Sequence, residues 1–164
     1  MRLQDCPTLE VEMVIAAPPM RVWQLVTDLE RMGQWSPEYR GGAWLDGATG
    51  PAVGARFKGY NERKGRRWES VATIIAAEPG RLVAWAVGDP QNPGAVWRFE
   101  LFPEGSGTRV RQRVQLGPGP SGLSARIAEL PEREADILAA RLAEHRRNMQ
   151  ATLAGLKAAA EQEG

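Results

Sequence analysis

The segment PEREADILAARLAEHRRNMQATLAGL, residues 131–156, decides the fold of this chain. Its apolar residues recur at intervals of three and four, which predicts one long amphipathic helix. Pro131 suits the first turn of that helix because its missing N–H would be unpaired there. Glu132 and Glu134 follow where negative charge is favourable. The stripe along the helix consists of Leu138, Leu142, His145, Met149, Leu153 and Leu156.

Most of the chain before this helix has the pattern of β-strands. In the clearest strand, apolar residues and Gln112 alternate with arginines, which predicts one buried face and one solvent-facing side. Lys64-Gly65 is a hairpin turn signal, and Gly41-Gly42 indicates a bulge. We predict strands at residues 9–15, 38–45, 54–63, 68–77, 81–87, 96–102 and 108–116.

Two short helices are predicted after the first strand. Pro18-Pro19 ends that strand and begins a helix, and Asp28 is placed to cap a second helix over about residues 29–34. The resulting order is one strand, two short helices, six strands and one long helix, an α+β fold. A lone amphipathic helix after antiparallel strands packs across their sheet, and a sheet curled around one helix tends to leave a cavity.

Length and composition narrow the class of protein. A chain of 164 residues with 43% hydrophobic and 25% charged residues is typical of a soluble globular protein. We expect a single domain, residues 1–164, with a structured core at about 9–157. A net charge of +1 provides no global field for nucleic acid or an anionic membrane. We interpret the basic hairpin tip, residues 63–67, as solvated and expect no nucleic-acid partner.

The cysteine count and the length of the apolar runs also exclude several kinds of site and of membrane association. Cys6 is the only cysteine, so neither an intramolecular disulfide nor a cysteine-rich metal site is possible. No apolar run has the length of a signal peptide or of a membrane span. We therefore expect a cytoplasmic protein with no metal, no cofactor and no stable membrane insertion, as a monomer or homodimer.

Short motifs accompany this order of elements. They are Trp35-Ser36-Pro37-Glu38, the stretch GARFKGYN at residues 54–61 leading to Trp68-Glu69, and Gly107-Thr108-Arg109-Val110 in the last hairpin. Over about residues 9–157 the chain resembles the polyketide cyclase/dehydrase and lipid-transport family of the START-like (Bet v 1-like, SRPBCC) superfamily. The resemblance implies a helix-grip fold: a seven-stranded antiparallel sheet wrapped around the C-terminal helix, with a deep apolar pocket between them.

The family resemblance does not fix a reaction. Members range from ligand carriers to aromatase/cyclases and share no single catalytic motif, so no catalytic residue can be carried over. His145, on the apolar stripe, could exchange a proton with a ligand carbonyl; the simpler interpretation is a core histidine hydrogen-bonded to the sheet. Arg141, one position off the stripe, could hold a carboxylate or enolate oxygen, or be a solvated flank residue.

Polar residues on the predicted inner face point to a pocket. Asn61, Ser70 and Gln112 share a side with apolar neighbours, where an unpaired polar group costs about 1–3 kcal/mol. A ligand or water in a pocket would explain them, and so would a register error of one residue. The tryptophans could likewise line a pocket or fill the core. They include Trp35, Trp44, Trp68, Trp85 and Trp97.

Three functions remain open at this point. The preferred one is binding of a small hydrophobic molecule, lipid-like or polyketide-like. The alternatives are a cyclase, aromatase or dehydratase using the same pocket, and a non-enzymatic interaction or stress-response module. Residues 123–130 are a candidate lid, or a connector. The predicted ligand contacts are Trp35, Phe57, Asn61, Trp68, Trp97, Phe99, Gln112, Leu138, Leu142, His145 and Met149.

Overall fold

The computed structural model describes residues 1–162 and contains the predicted helix-grip architecture. One antiparallel sheet of seven strands has the order β1-β7-β6-β5-β4-β3-β2. Three-residue or four-residue 3₁₀ turns occur at Leu3–Asp5, Arg31–Gln34 and Pro131–Arg133. The strands and helices are β1 Thr8–Ile15, α1 Pro19–Val26, β2 Tyr39–Trp44, β3 Arg56–Arg63, β4 Arg66–Glu78, β5 Leu82–Val87, β6 Ala95–Glu104, β7 Gly107–Leu116, α2 Gly122–Glu129 and α3 Glu134–Gln162.

Strand β7 shows how the sequence pattern sets the two faces of the sheet. Its even-numbered residues are buried and its arginines are half-exposed, as the alternation predicts. On the outer face Arg111 Nε donates to Glu12 Oε1 of β1 at 2.8 Å. Val11 and Gln112 are register partners across the same pair of strands, and both are buried. The outer charges and the inner apolar residues therefore specify one register.

Two predicted turn features are confirmed. Lys64 and Gly65 have φ values of 53° and 76°, the left-handed conformation that a two-residue hairpin turn requires. In β2 the register shifts between Tyr39 and Gly41, and Gly41 has a φ of 127°. The glycine at this position allows the bulge that the sequence indicates.

The second short helix differs from the prediction. Instead of running over about residues 29–34, it is a single 3₁₀ turn at Arg31–Gln34. Asp28 Oδ1 accepts a hydrogen bond from the Arg31 N–H at 3.1 Å, which fixes where the turn begins. The sequence Trp35-Ser36-Pro37 follows at once, and the residue before a proline avoids the α region. The predicted helix was therefore too long, and the N-cap of the turn is Glu30, although Asp28 makes the hydrogen bond to the first turn residue.

Helix α3 is fixed at both ends to the segments that flank β1. Near its start, Glu134 Oε2 accepts a hydrogen bond from the Leu3 N–H at 2.9 Å. Near its end, Glu161 Oε2 accepts one from the Ala16 N–H, also at 2.9 Å. Between these points Leu138 and Leu153 are fully buried. No helix within residues 1–162 has the length and hydropathy that a membrane crossing requires.

A glycine in α3 admits the side chain of Trp35. A Cβ atom added at Gly155 would lie 2.2 Å from Trp35 Cβ and 2.6 Å from Trp35 Cγ. The helix therefore gives up the better helix propensity of alanine to let Trp35 pack against its backbone. The Arg31 guanidinium lies over the same indole, 5.7 Å from its centroid. Trp35 thus holds the 3₁₀ turn against α3.

We predict that Gly155→Ala destabilises the protein by about 2 kcal/mol, since the new methyl group overlaps Trp35 in a packed interface. Urea denaturation measures the change. The matched control is Ala154→Gly at the adjacent exposed position, where losing alanine costs about 1 kcal/mol. If Gly155→Ala instead stabilises the protein, as it would at an unobstructed helical site, the packing of Trp35 is misassigned.

Candidate functional site

A cavity of about 170 Å³ lies between the concave face of the sheet and α3. An apolar cavity of roughly 150 Å³ in another protein is large enough to bind benzene, so this one has room for a small ring system. Its walls come from the segment between α1 and β2, from the inner faces of β2 to β7, and from the middle of α3. The site thus depends on elements from both halves of the chain.

Aromatic rings form a continuous arc along the sheet side of the cavity. Trp44 and Phe57 are cross-strand partners whose ring centroids lie 5.6 Å apart. Phe57 continues to Trp85 at 5.9 Å, and Trp85 to Phe99 at 6.0 Å. The first two contacts are edge-to-face, a favourable arrangement of aromatic quadrupoles. Trp44 and Trp85 remain half-buried because they face the cavity, so ring surface is available to a ligand.

The polar residues predicted for the inner face all border this cavity. Asn61 Nδ2 donates to Ser70 Oγ at 3.3 Å, so these two side chains partly satisfy each other. Gln112 has no such partner. It is 6% exposed, and its Oε1 atom is buried without a hydrogen bond among the described residues. The cavity therefore contains an amide whose hydrogen-bonding capacity the protein leaves unused.

His145 enters the cavity from α3. It is 7% exposed, and its ring meets the Trp97 ring edge-to-face with centroids 5.3 Å apart. Burial, reinforced by the positive charge of Arg141, lowers the pKa of His145 to about 4, so the imidazole is neutral near pH 7. The simpler sequence interpretation required a hydrogen bond to the sheet. The contact of its ring with the sheet is the aromatic one with Trp97.

Arg141 lies in an ion-pair network beside the cavity. Its guanidinium holds Glu38 with both terminal nitrogens, at 2.6 and 2.8 Å, and reaches Glu144 Oε1 at 2.5 Å. Asn148 Nδ2 also donates to Glu38, and Arg63 Nε donates to Glu144, each at 2.8 Å. Burial opposes ionisation of Glu144, but the hydrogen bonds from its two arginines hold the pKa of that carboxyl below its usual value.

The network separates the cavity from a polar cleft. Pro37, Glu38 and Asn148 border both spaces. On the far side, the cleft is lined by charged residues of the β3–β4 hairpin tip, including Arg63 and Lys64. Arg141 is therefore neither a solvated flank residue nor a group that faces the cavity, because its N–H groups donate to the carboxylates of Glu38 and Glu144. Arg63, which belongs to the basic hairpin tip, likewise forms an ion pair with Glu144.

The structure brings most of the predicted ligand contacts together and leaves others out. Trp35 packs on α3, and Leu138 and Leu142 belong to the core rather than to the cavity wall. Trp68 shares its sheet face with its register partner Asn61, but β4 pairs with β5 only from Ala72 onward. Trp68 is consequently uncovered and 37% exposed. The predicted contacts that line the cavity are Phe57, Asn61, Trp97, Phe99, Gln112, His145 and Met149.

Other lining residues were not among the predicted contacts. Trp85 lies in β5, where both faces are largely buried, so alternation could not assign its side. Its register partner Trp97 was a usable signal, because paired residues share a face. Tyr39 donates its hydroxyl to the Leu29 carbonyl at 2.6 Å, and burial raises the pKa of that phenol. Asn148 and Thr152 continue the α3 stripe but are polar.

Two further elements were considered as parts of a site. Helix α2, the candidate lid, buries Ile127 and contributes no residue to the cavity wall. No cluster of three or more histidine, cysteine, aspartate or glutamate side chains in the described part of the chain is arranged to hold a metal. The cavity presents aromatic rings, hydrogen-bonding side chains, the carboxylate of Glu38 and the neutral imidazole of His145.

The fold has counterparts among solved structures. The Polyketide_cyc-like protein Cgl2372 from Corynebacterium glutamicum is 29% identical, with a TM-score of 0.71 over 99% of this chain and 94% of that one. The protein TTHA0849 from Thermus thermophilus is 17% identical, with a TM-score of 0.66 over 96% and 99%. Ara h 8.0201 is 14% identical, with a TM-score of 0.62 over 95% and 98%, a likeness of fold alone.

Sequence comparison identifies the family directly. No curated protein matches the chain. The model of the family described as polyketide cyclase/dehydrase and lipid transport matches residues 7–161, which is nearly the whole chain. That match includes every strand and the cavity-lining part of α3. The chain therefore belongs to the polyketide cyclase/dehydrase and lipid transport family.

Proposed function

We propose that the protein binds a small hydrophobic or aromatic molecule in the cavity between the sheet and α3. The observation that carries this proposal is the arc from Trp44 to Phe99, whose rings face about 170 Å³ of unfilled space. Packed cores rarely retain space of this size, because each missing contact weakens them. Membership of a family described by lipid transport and polyketide chemistry supports the same proposal.

Apolar burial would supply most of the binding energy. Removing about 200 Å² of ligand surface from water contributes roughly 5 kcal/mol at ~25 cal/mol/Å². The aromatic arc adds edge-to-face contacts for a flat ligand. Because roughly 5 kcal/mol alone corresponds to a dissociation constant of about 0.2 mM and association has its own entropic cost, we expect a two-ring molecule to bind with a submillimolar to millimolar dissociation constant.

A second candidate is a cyclase, aromatase or dehydratase reaction in the same cavity. The observation that favours it is His145, a neutral imidazole in the cavity wall that could accept a proton from a poly-β-ketone. A pKa of about 4 makes it a weak base, so binding is our first proposal. If His145→Ala leaves turnover of a poly-β-ketone substrate unchanged, His145 has no part in such a reaction.

We predict that Ala72→Phe weakens ligand binding at least about tenfold, because Ala72 is buried in the cavity wall and the larger ring would occupy the space. The measurement is a fluorescence titration with the neutral two-ring dye 1-naphthylamine. The matched control is Ala43→Phe, the same change at an exposed position of β2. Circular dichroism checks that both variants are folded.

The titration can contradict the proposal in two ways. Wild-type protein that shows no saturable increase in dye fluorescence would rule out this ligand class for the cavity. Equal affinity in the wild type and the folded Ala72→Phe variant would show that the dye binds elsewhere.

The low pKa of His145 predicts a specific loss of stability in acid. The unfolded chain protonates this residue near pH ~6.5, whereas the folded protein resists protonation down to about pH 4. Stability is therefore complete above ~6.5 and falls as the pH decreases toward 4. Between about pH 7.5 and 5 we expect a loss of about 2 kcal/mol from this residue.

Urea denaturation of the wild type and His145→Leu at both pH values isolates this contribution. The variant lacks the titrating group but keeps the surface carboxylates, so it should lose about 2 kcal/mol less than the wild type. Parallel pH profiles for the two proteins would mean that His145 is accessible to protons in the folded state, and that the cavity wall is more polar than described.

A further inference from the structure

The side chain of Gln112 combines deep burial with an unused hydrogen-bonding group. Its register partners are Val11 on β1 and Phe99 on β6, both apolar and buried. Its Oε1 atom has no hydrogen-bond partner in the described residues. An amide in this situation loses its hydration without compensation. A half-turn about its last torsion exchanges oxygen and nitrogen, so the amide can either accept from or donate to a molecule in the cavity.

His145 faces the same space from the opposite wall. Trp97 connects the two residues: it pairs with Val114, two positions from Gln112 on the same face of β7, and its ring contacts His145. A neutral imidazole offers one N–H donor and one nitrogen lone pair. The cavity is therefore lined by aromatic rings, with the uncharged Gln112 on the sheet side and the uncharged His145 on the helix side.

The charges beside the cavity are already matched with one another. Arg141 is held by Glu38 and Glu144, and Glu144 also binds Arg63. None of the described residues that line the cavity is a lysine or arginine, whereas Glu38 lines it. A carboxylate entering this space would lose its hydration, find no free cation and approach the negative charge of Glu38.

We infer that Gln112, assisted by His145, selects an uncharged flat ligand that bears a hydroxyl, ring N–H or carbonyl group, and that the cavity excludes ionised carboxylates such as free fatty acids. The inference rests on the proposed binding function and names the ligand class for that site. It makes Gln112 a specificity-determining residue: one hydrogen bond to the ligand replaces the one that the fold does not provide.

The test uses three ligands of one shape at about pH 7.5: naphthalene, 2-naphthol and 2-naphthoate. Each is titrated against the bound dye 1-naphthylamine, which it displaces from the protein. We expect 2-naphthol to bind about tenfold more tightly than naphthalene, the effect of one added buried hydrogen bond. We expect 2-naphthoate to bind at least about tenfold more weakly than 2-naphthol. In Gln112→Leu the advantage of 2-naphthol should fall below about threefold, while naphthalene binds at least as tightly.

The matched control is Gln115→Leu, the same change on the outer face of the same strand. It should leave all three affinities within about twofold of the wild type. A measurement on the unaltered protein accompanies the variants: the side-chain amide resonance of Gln112 should shift with 2-naphthol and much less with naphthalene. This readout remains valid if Gln112→Leu does not fold.

The outcomes separate the inference from the proposed function. If naphthalene and 2-naphthol bind equally well, or Gln112→Leu retains the tenfold difference, hydrogen bonding by Gln112 does not select the ligand and the inference fails while hydrophobic binding stands. If 2-naphthoate binds as tightly as 2-naphthol, the exclusion of carboxylates fails. If the dye itself does not bind, the proposed function fails first.

Discussion

The cavity exists because α3 is held over the sheet at its two ends. Glu134 and Glu161 accept backbone N–H groups from the chain on either side of β1, which fixes the height of the helix at both ends. Leu138 and Leu153 complete these attachments by apolar burial. With its ends fixed, the middle of a rigid helix cannot sink into the curved sheet. The space below His145 and Met149 therefore remains open.

The sequence predicted the fold well because each element has a clear period. Alternation in β7 correctly put Gln112 inside, and the stripe of α3 put His145 there. Alternation predicts which face of a strand a residue occupies, but not how far the neighbouring strands extend. We therefore expected Trp68 to line the cavity, whereas β5 does not extend far enough along β4 to cover it. In β5 both faces are largely buried, so alternation within the strand does not assign a face to Trp85. The partners of Arg141 depend on tertiary contacts that no local pattern contains.

The polar and charged groups around the cavity differ in how completely other protein groups satisfy their hydrogen bonds and charges. The network of Glu38, Arg141, Glu144 and Arg63 satisfies itself and separates the cavity from the polar cleft. Gln112 is left unmatched, at a cost to stability that a leucine would avoid. A fold optimised for stability alone would not keep an unpaired amide beside unfilled space. The contrast locates the functional part of the molecule in the cavity rather than in the ion pairs.

The order of elements has a consequence for biosynthesis. β1 pairs with β7, as in Thr8 with Gln115, so the sheet reaches its full width only after most of the chain has left the ribosome. Helix α3 follows β7, and until it docks the aromatic arc from Trp44 to Phe99 faces water. Contacts between distant parts of a chain form slowly, and exposed apolar sheet faces associate with one another in the meantime. The nascent protein thus passes through an aggregation-prone stage before α3 docks, during which chaperones or a hydrophobic ligand could shield the inner face of its sheet.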